Sequence, residues 1–444
     1  MKRRHFLFFP TVLAAQQVSR REFSAVKFGA LADGHTADTE PIQKAIDTCS
    51  AQGGGIVRLP VGRYLCGSML LRSRVTLQLD QGAVLLGSIN PADYRSTDSF
   101  RDGTGAELGY AFVSAVDATD VGVTGPRTGD ATIDGQGKEV LAALKPGERN
   151  RRPFLMRFMR CTNVTLRDVR LRQPAAWTLH LAQCHNVSVE RLNINSHAGA
   201  NNDGIDIDSC ELVHVNECDI DTGDDAICFK TTSQLPCRDV TVTNCRLRSD
   251  CATIKMGTES AGNFDNIRIA HCQLLYARLS GIKLLSVDGA ILQNVEISDI
   301  AMMAGRIPIF LRLGGRLKTF RPGDPKKEVG MLRNISIRRF QATAEGPGIM
   351  LNGIPGHRIR NVRMDDIDLR LAGGGKKDDG EVALPEAVEA YPEITMFGRR
   401  IPAALLYARH VEGLEISRLK TSFEQPDERP LKVLIDAEDV KVGG

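Results

Sequence analysis

The chain has 444 residues, 42% of them hydrophobic and 25% charged, and its formal net charge is +3. That is ample apolar material for a large core, and so small a charge gives no reason to expect a nucleic-acid partner. Beyond the first residues no apolar run approaches the ~20 residues of a membrane span, so no membrane-embedded segment is expected.

The chain opens Met1-Lys2-Arg3-Arg4-His5-Phe6-Leu7-Phe8-Phe9-Pro10 and continues Thr11-Val12-Leu13-Ala14-Ala15. A charged start, a short apolar run and small residues make an export signal. Arg3-Arg4 ahead of Phe6-Leu7 has the form of a twin-arginine signal. Residues 1–22 are assigned to it, so the expected location is periplasmic or secreted, and 23–444 are expected to form a single domain.

Val26-Lys27-Phe28-Gly29-Ala30 reads as a first strand. Asp38 or Thr39 can cap a helix with Pro41 in its first turn and an apolar stripe of Ile42, Ala45, Ile46 and Cys49. Gly53-Gly54-Gly55 stops that helix, which is read as a lid over the open end of a stacked core. Strands follow at Ile56-Val57-Arg58-Leu59, Val75-Thr76-Leu77-Gln78-Leu79 and Val121-Gly122-Val123. The turn-rich stretch 88–109 between them reads as a long loop on the outer surface.

From residue 163 two repeating registers are visible. In the first, strands start at Asn163-Val164, Asn186-Val187, Asp239-Val240, Asn266-Ile267, Asn294-Val295, Asn334-Ile335 and Asn361-Val362, and Gly413-Leu414 ends the series. In the second, Leu179, Ile205, Ile227, Ile254 and Ile282 share one strand face, and His180, Asp206, Cys228, Lys255 and Lys283 the other. An offset of roughly 22 to 28 residues is the signature of a solenoid with one supersecondary unit per repeat. The expected fold is all-β, an elongated parallel sheet wound on itself with at least two strands per coil. Cys161, Cys184, Cys210 and Cys237 recur at one place in successive repeats, which favours stacked buried thiols over disulfides. No Cys-x-x-Cys pair is present, so no zinc site is expected. Two gaps in the register, 314–330 and 373–398, are rich in charge and glycine. They are solvated linkers or loops that wall a groove.

Asn201-Asn202-Asp203-Gly204 and, one coil later, Gly223-Asp224-Asp225 stand at strand starts. Neighbouring strands lie about 4.8 Å apart, which gathers Asp203, Asp224 and Asp225 at one mouth. Three carboxylates that close resist full ionisation, so at least one pKa should rise. Acid and base catalysts are made to coexist in this way. The plain alternative is that these aspartates only make turns.

Asn-x-Asp followed one coil later by Gly-Asp-Asp resembles glycoside hydrolase family 28, the polygalacturonases and rhamnogalacturonan hydrolases. Phe28-Gly29-Ala30 with Asp33-Gly34, Ile133-Asp134-Gly135-Gln136-Gly137, Trp177-Thr178-Leu179-His180 and Gly257-Thr258-Glu259-Ser260 are in the same style. The resemblance implies a single-stranded right-handed parallel β-helix of the pectin lyase-like kind, with no cofactor and no metal. It implies Asp224 as general acid, and Asp203 and Asp225 as bases activating water, giving inversion on a pectic poly- or oligosaccharide. Two departures stand out. The family's Gly-His-Gly falls on Cys251-Ala252-Thr253, without the histidine, and its uronate-gripping Arg-x-Lys falls on Gly281-Ile282-Lys283, without the arginine. Asn201, His180, Lys255, Glu259, Lys283 and Arg312 are the expected substrate-binding residues, Lys255 or Arg312 replacing part of the lost charge. A lyase or epimerase on the same fold, or a non-catalytic carbohydrate-binding solenoid, stays open.

Overall fold

The computed structural model describes residues 21–127 and 129–443, so the export-signal reading of the first residues falls almost wholly outside the described part. The described chain is all-β apart from short helices. Apart from one antiparallel hairpin its strands pair in parallel, each with the strand one coil further on, in three columns. One column runs Phe154–Met159, Leu179–Ala182, Ile205–Asp208, Ile227–Thr231 and Ala252–Ser260. The second carries Thr162–Arg167, His185–Glu190 and Glu211–Asn216, and the third Arg170–Arg172, Asn193–Ser196 and Asp219–Thr222. Three strands per coil thus satisfy the at least two read from the sequence.

The first column carries the apolar repeat in the expected register. Leu179 pairs with Ile205, Ile205 with Ile227, Ile227 with Ile254 and Ile254 with Ile282, all wholly buried. Each such side chain contributes about 1.5–3 kcal/mol by leaving water. One continuous apolar cluster runs from Phe23 to Ile416. The recurrent asparagines explain how each coil turns. Asn163, Asn186, Asn266, Asn294, Asn334 and Asn361 all lie at φ between 51° and 57°, the left-handed region that asparagine tolerates better than other branched or bulky residues. Their amides also bond from coil to coil, Asn186 donating to Asn163 at 2.7 Å and Asn361 to Asn334 at 3.2 Å. All eleven cysteines are unpaired thiols, and Cys184 N–H donates to Cys210 Sγ at 3.2 Å within the expected stack.

Four local expectations are corrected. Residues Ala25–Phe28 form a 3₁₀ turn rather than a strand, closed by Gly29 at φ 103°, and the first strand is Glu22–Ser24. The helix Thr39–Ala51 buries Ile42, Ala45, Ile46 and Cys49 as expected. Asp38 precedes it but turns its carboxylate to Leu31 N–H and Ala32 N–H, at 2.7 and 3.0 Å, instead of capping the helix. The stretch 88–109 is not a loose outer loop. Arg95–Arg101 and Glu107–Val116 form an antiparallel hairpin whose Phe100 and Leu108 are buried over the first column. Lastly, Gly413-Leu414 is not the last rung, because Leu414 pairs onward with Val440.

Candidate active site

Asp203 stands two residues before Ile205 and Asp225 two before Ile227, so the register that pairs the isoleucines also pairs the aspartates. The chain crossing is held by Gly204 N–H donating to Asp225 O and Thr178 N–H donating to Asp203 O, both at 2.9 Å. Asp203, Asp225 and Cys228 each bring one ligand atom within 4.8 Å of the others, as do Asp224, Asp225 and Cys251. Asp203 and Asp225 are buried, whereas Asp224 is only half-buried. Thr222 and Ser249 hydroxyls both donate to the Asp224 carbonyl at 2.6 Å, and its carboxylate accepts the Asp225 N–H at 3.0 Å. The backbone at Asp224 is thus fixed while its side chain faces the groove.

The three carboxylates are differently charged. Burial and the neighbouring Asp225 push the Asp224 carboxyl up, and burial with the charges of Asp206 and Asp224 pushes Asp203 far up. Burial would raise Asp225 too, but Lys255, Lys283 and Lys230 override it and hold the group at about 2. Lys255 Nζ donates to Asp225 Oδ2 at 2.6 Å, and Ala252 N–H donates to its Oδ1 at 3.1 Å. The arrangement offers one ionised carboxylate beside two carboxyls that retain their protons at higher pH.

Lys230, which sequence reasoning passed over, is the second organising cation. Its ammonium lies 3.5 Å from Asp203, 3.4 Å from Asp206 and 3.3 Å from Glu259, and 4.2 Å from the centre of the Trp177 ring. Glu259 in turn accepts the Gly103 N–H at 2.5 Å, so it ties the hairpin to the floor. Glu259 is the buried acidic member of the groove that the sequence left open. Lys230 lies five residues after Asp225, at the position after Phe229. Its partners arrive from two other coils, which no linear reading brings together.

The remaining expected residues are placed as follows. Lys283 pairs with Lys255 along the column, but its ammonium is wholly buried against Glu393 at 2.6 Å. His180 is not on the groove. It is fully buried among Phe100, Phe154 and Trp177, at ring distances of 5.2–5.4 Å. Arg157 Nε donates to its Nδ1 and Asp208 faces its Nε2, both at 3.2 Å, while burial holds its pKa down at about 4. The hairpin Arg95–Arg101 with Glu107–Val116, far upstream in sequence, seals it. Arg312 is also out of the groove. It pairs with Leu285 rather than with Lys283, whose neighbour is Phe310, and donates to the carbonyls of Gly353, Glu386 and Ala387. Asn201 accepts from Arg152 at 3.1 Å beside Asp203. The two register gaps do reach the site: Arg316 bonds Asp288 and Thr258 O, and Thr258 donates to Tyr391 Oη at 3.3 Å.

Asp203, Asp225 and Cys228, or Asp224, Asp225 and Cys251, are close enough to share an ion. Their chemistry is ill suited to one. Lys255 already occupies Asp225, and burial pushes both thiols far up, so neither offers a thiolate.

The sequence profile of the family described as Glycosyl hydrolases family 28 matches residues 86–384. The chain belongs to that family. Family 28 membership makes it a glycoside hydrolase. A probable polygalacturonase of Vitis vinifera is 25% identical over 378 residues, 80% of this chain and 75% of that protein. An exo-poly-alpha-D-galacturonosidase of Dickeya chrysanthemi is 29% identical over 264 residues, 49% of this chain and 43% of that protein. The fold matches the solved Family 28 exopolygalacturonase of Yersinia enterocolitica with a TM-score of 0.69. That match covers 95% of this chain and 78% of the other, at 21% identity.

Proposed function

We propose that the protein is an exported hydrolase of a galacturonate-containing pectic chain. Its coils wind as a right-handed parallel β-helix in one domain over 23–444, with the helix Thr39–Ala51 as its N-terminal cap. The polygalacturonase names of the relatives support the substrate, and the charged and apolar start of the chain supports export. Asp224 is the general acid. It is the one carboxyl of the three with an exposed face, and its raised pKa keeps a proton for the leaving oxygen. Asp225 takes the proton of the attacking water, and Asp203 beside it orients that water.

The carboxylate separation bears on stereochemistry. Oxygens within 4.8 Å are closer than the roughly 6.5–9.5 Å usual for inverting sites. A covalent route is disfavoured, since Lys255 and Ala252 N–H draw on both oxygens of Asp225 and weaken it as a nucleophile while leaving each a lone pair to accept a proton, and Asp203 is buried and holds a proton. Inversion is therefore the reading retained.

The observation that carries the function is the contrast between Asp224, raised and half-exposed, and Asp225, ionised and held by Lys255. Asp224→Asn is expected to lower reducing-sugar release from pectic polysaccharides by about 10²–10⁴-fold with an unchanged melting temperature. Turnover at the native rate would remove Asp224 from the mechanism.

A further inference from the structure

The cations around the carboxylate trio are already occupied. Lys255 is held by Asp225 at 2.6 Å, Lys283 by Glu393 at 2.6 Å, and Lys230 by Asp203, Asp206 and Glu259 at 3.3–3.5 Å. Arg152 donates to Arg149 O, Ala200 O and Asn201 Oδ1. Gly281, two residues before Lys283, has no room for a side chain, because a Cβ there would lie 2.7 Å from Met302 sulfur and 2.9 Å from Pro308 O. Six carboxyls thus face three lysines. Burial favours the protonated forms of Asp203 and Asp224 and lifts Asp206 to about 7, and no lysine of the three lacks a carboxyl partner. An incoming carboxylate would have to displace Asp225, Glu393 or the Lys230 acids from a buried ion pair, which opposes its binding.

The loop that supplies Glu393 also supplies an aromatic face. Tyr391, two residues earlier, is 45% exposed and anchored through its hydroxyl to Thr258. Cys251 Sγ lies 3.9 Å from both Glu393 Oε2 and Lys283 Nζ and within 4.8 Å of Asp224, so these side chains adjoin the acid. From these contacts we infer that the sugar seated between Asp224, Cys251 and Tyr391 is uncharged, and that Glu393 is the residue that excludes a uronate there by saturating Lys283. This rests on the reading of the chain as a pectic hydrolase and narrows it. The scissile bond joins at least one neutral sugar, either a deoxyhexose or an esterified galacturonate. Both lack the carboxylate, and the experiment separates them.

Three oligosaccharides of equal length are compared: de-esterified oligogalacturonate, its methyl ester, and an alternating rhamnose–galacturonate chain. Hydrolysis is measured with the native enzyme, and binding by calorimetry with Asp224→Asn. One of the two neutral-site substrates is expected to exceed the de-esterified oligomer by at least about tenfold in both readouts. Glu393→Gln, which frees Lys283, is expected to lower KM for the de-esterified oligomer by about tenfold with little change in kcat, and Glu393→Asp to keep the native preference. If the de-esterified oligomer is the best substrate and ligand of the native site, or if Glu393→Gln leaves the ratio unmoved, the inference falls while the hydrolase reading stands. If none of the three is cleaved or bound, both fall.

Discussion

Replacing Lys255 by Met tests the electrostatics of the site directly. Lys255 and Asp225 are both buried and 2.6 Å apart, and Lys255 is the strongest of the cations that hold Asp225 at about 2. An ordinary aspartate titrates near ~3.9, and each unit corresponds to about 1.36 kcal/mol. The native environment therefore favours the Asp225 anion by about 2–3 kcal/mol. Without Lys255 the largest opposing charge is gone and the Asp225 pKa rises, with Lys283 and Lys230 still acting against burial. The acid limb of kcat/KM, set by the ionised base, is expected to move upward from near pH 2. The assay is reducing-end release across the acid range, with the alkaline limb, set by Asp224, as internal reference. Stability moves as well, because stripping one partner from a buried pair costs about 3–5 kcal/mol. Asp225 has a depressed folded pKa, so its stabilisation is fully present above ~3.9 and lost as pH falls through about 2. Lys255→Met should lack that acid-side loss, while Lys255→Arg should retain both the limb and the loss. A folded Lys255→Met enzyme whose acid limb stays in place would show that Asp225 is not the ionised catalytic group.

Two further outcomes are expected. Proton NMR of the first turnover, before mutarotation, should show the anomer opposite to that of the bond cleaved, and a retained anomer would mean that Asp203 or Asp225 attacks covalently. N-terminal sequencing of the mature protein from its native host should begin close to residue 23, and a mature chain still carrying Arg3 and Arg4 would end the export reading.

The parts of the molecule governed by period were legible in the sequence. Ile205, Ile227, Ile254 and Ile282 announce their stacking because each coil repeats the same inside–outside alternation, and Asp203 and Asp225 inherit that register. Asn163 and its successors announce the turns because few residues tolerate that backbone. Whatever depends on chain leaving the coil was hidden. His180 looks outward by period, yet a hairpin from residues 95–116 covers it. Lys283 looks open by period, yet Glu393, 110 residues later, saturates it. Arg312 was displaced because Phe310, not Arg312, follows Lys283 in the ladder. Lys230 sat in plain view, but its importance lies in the spatial convergence of Asp203, Asp206 and Glu259, which no spacing records.

The long excursions at 314–330 and 373–398 leave the ladder and return without disturbing it. Val295 still pairs with Ile335, Ile335 with Val362 and Val362 with Leu414 across them. Chemistry and selectivity are consequently held by separable pieces of polypeptide. The carboxylate floor is anchored by stacked rungs that tolerate little change, while the chain that frames the sugar can lengthen, shorten or exchange residues such as Tyr391 and Glu393 with the rungs left as they are. A lineage built on this plan can acquire new glycan preferences by editing outgrowths alone.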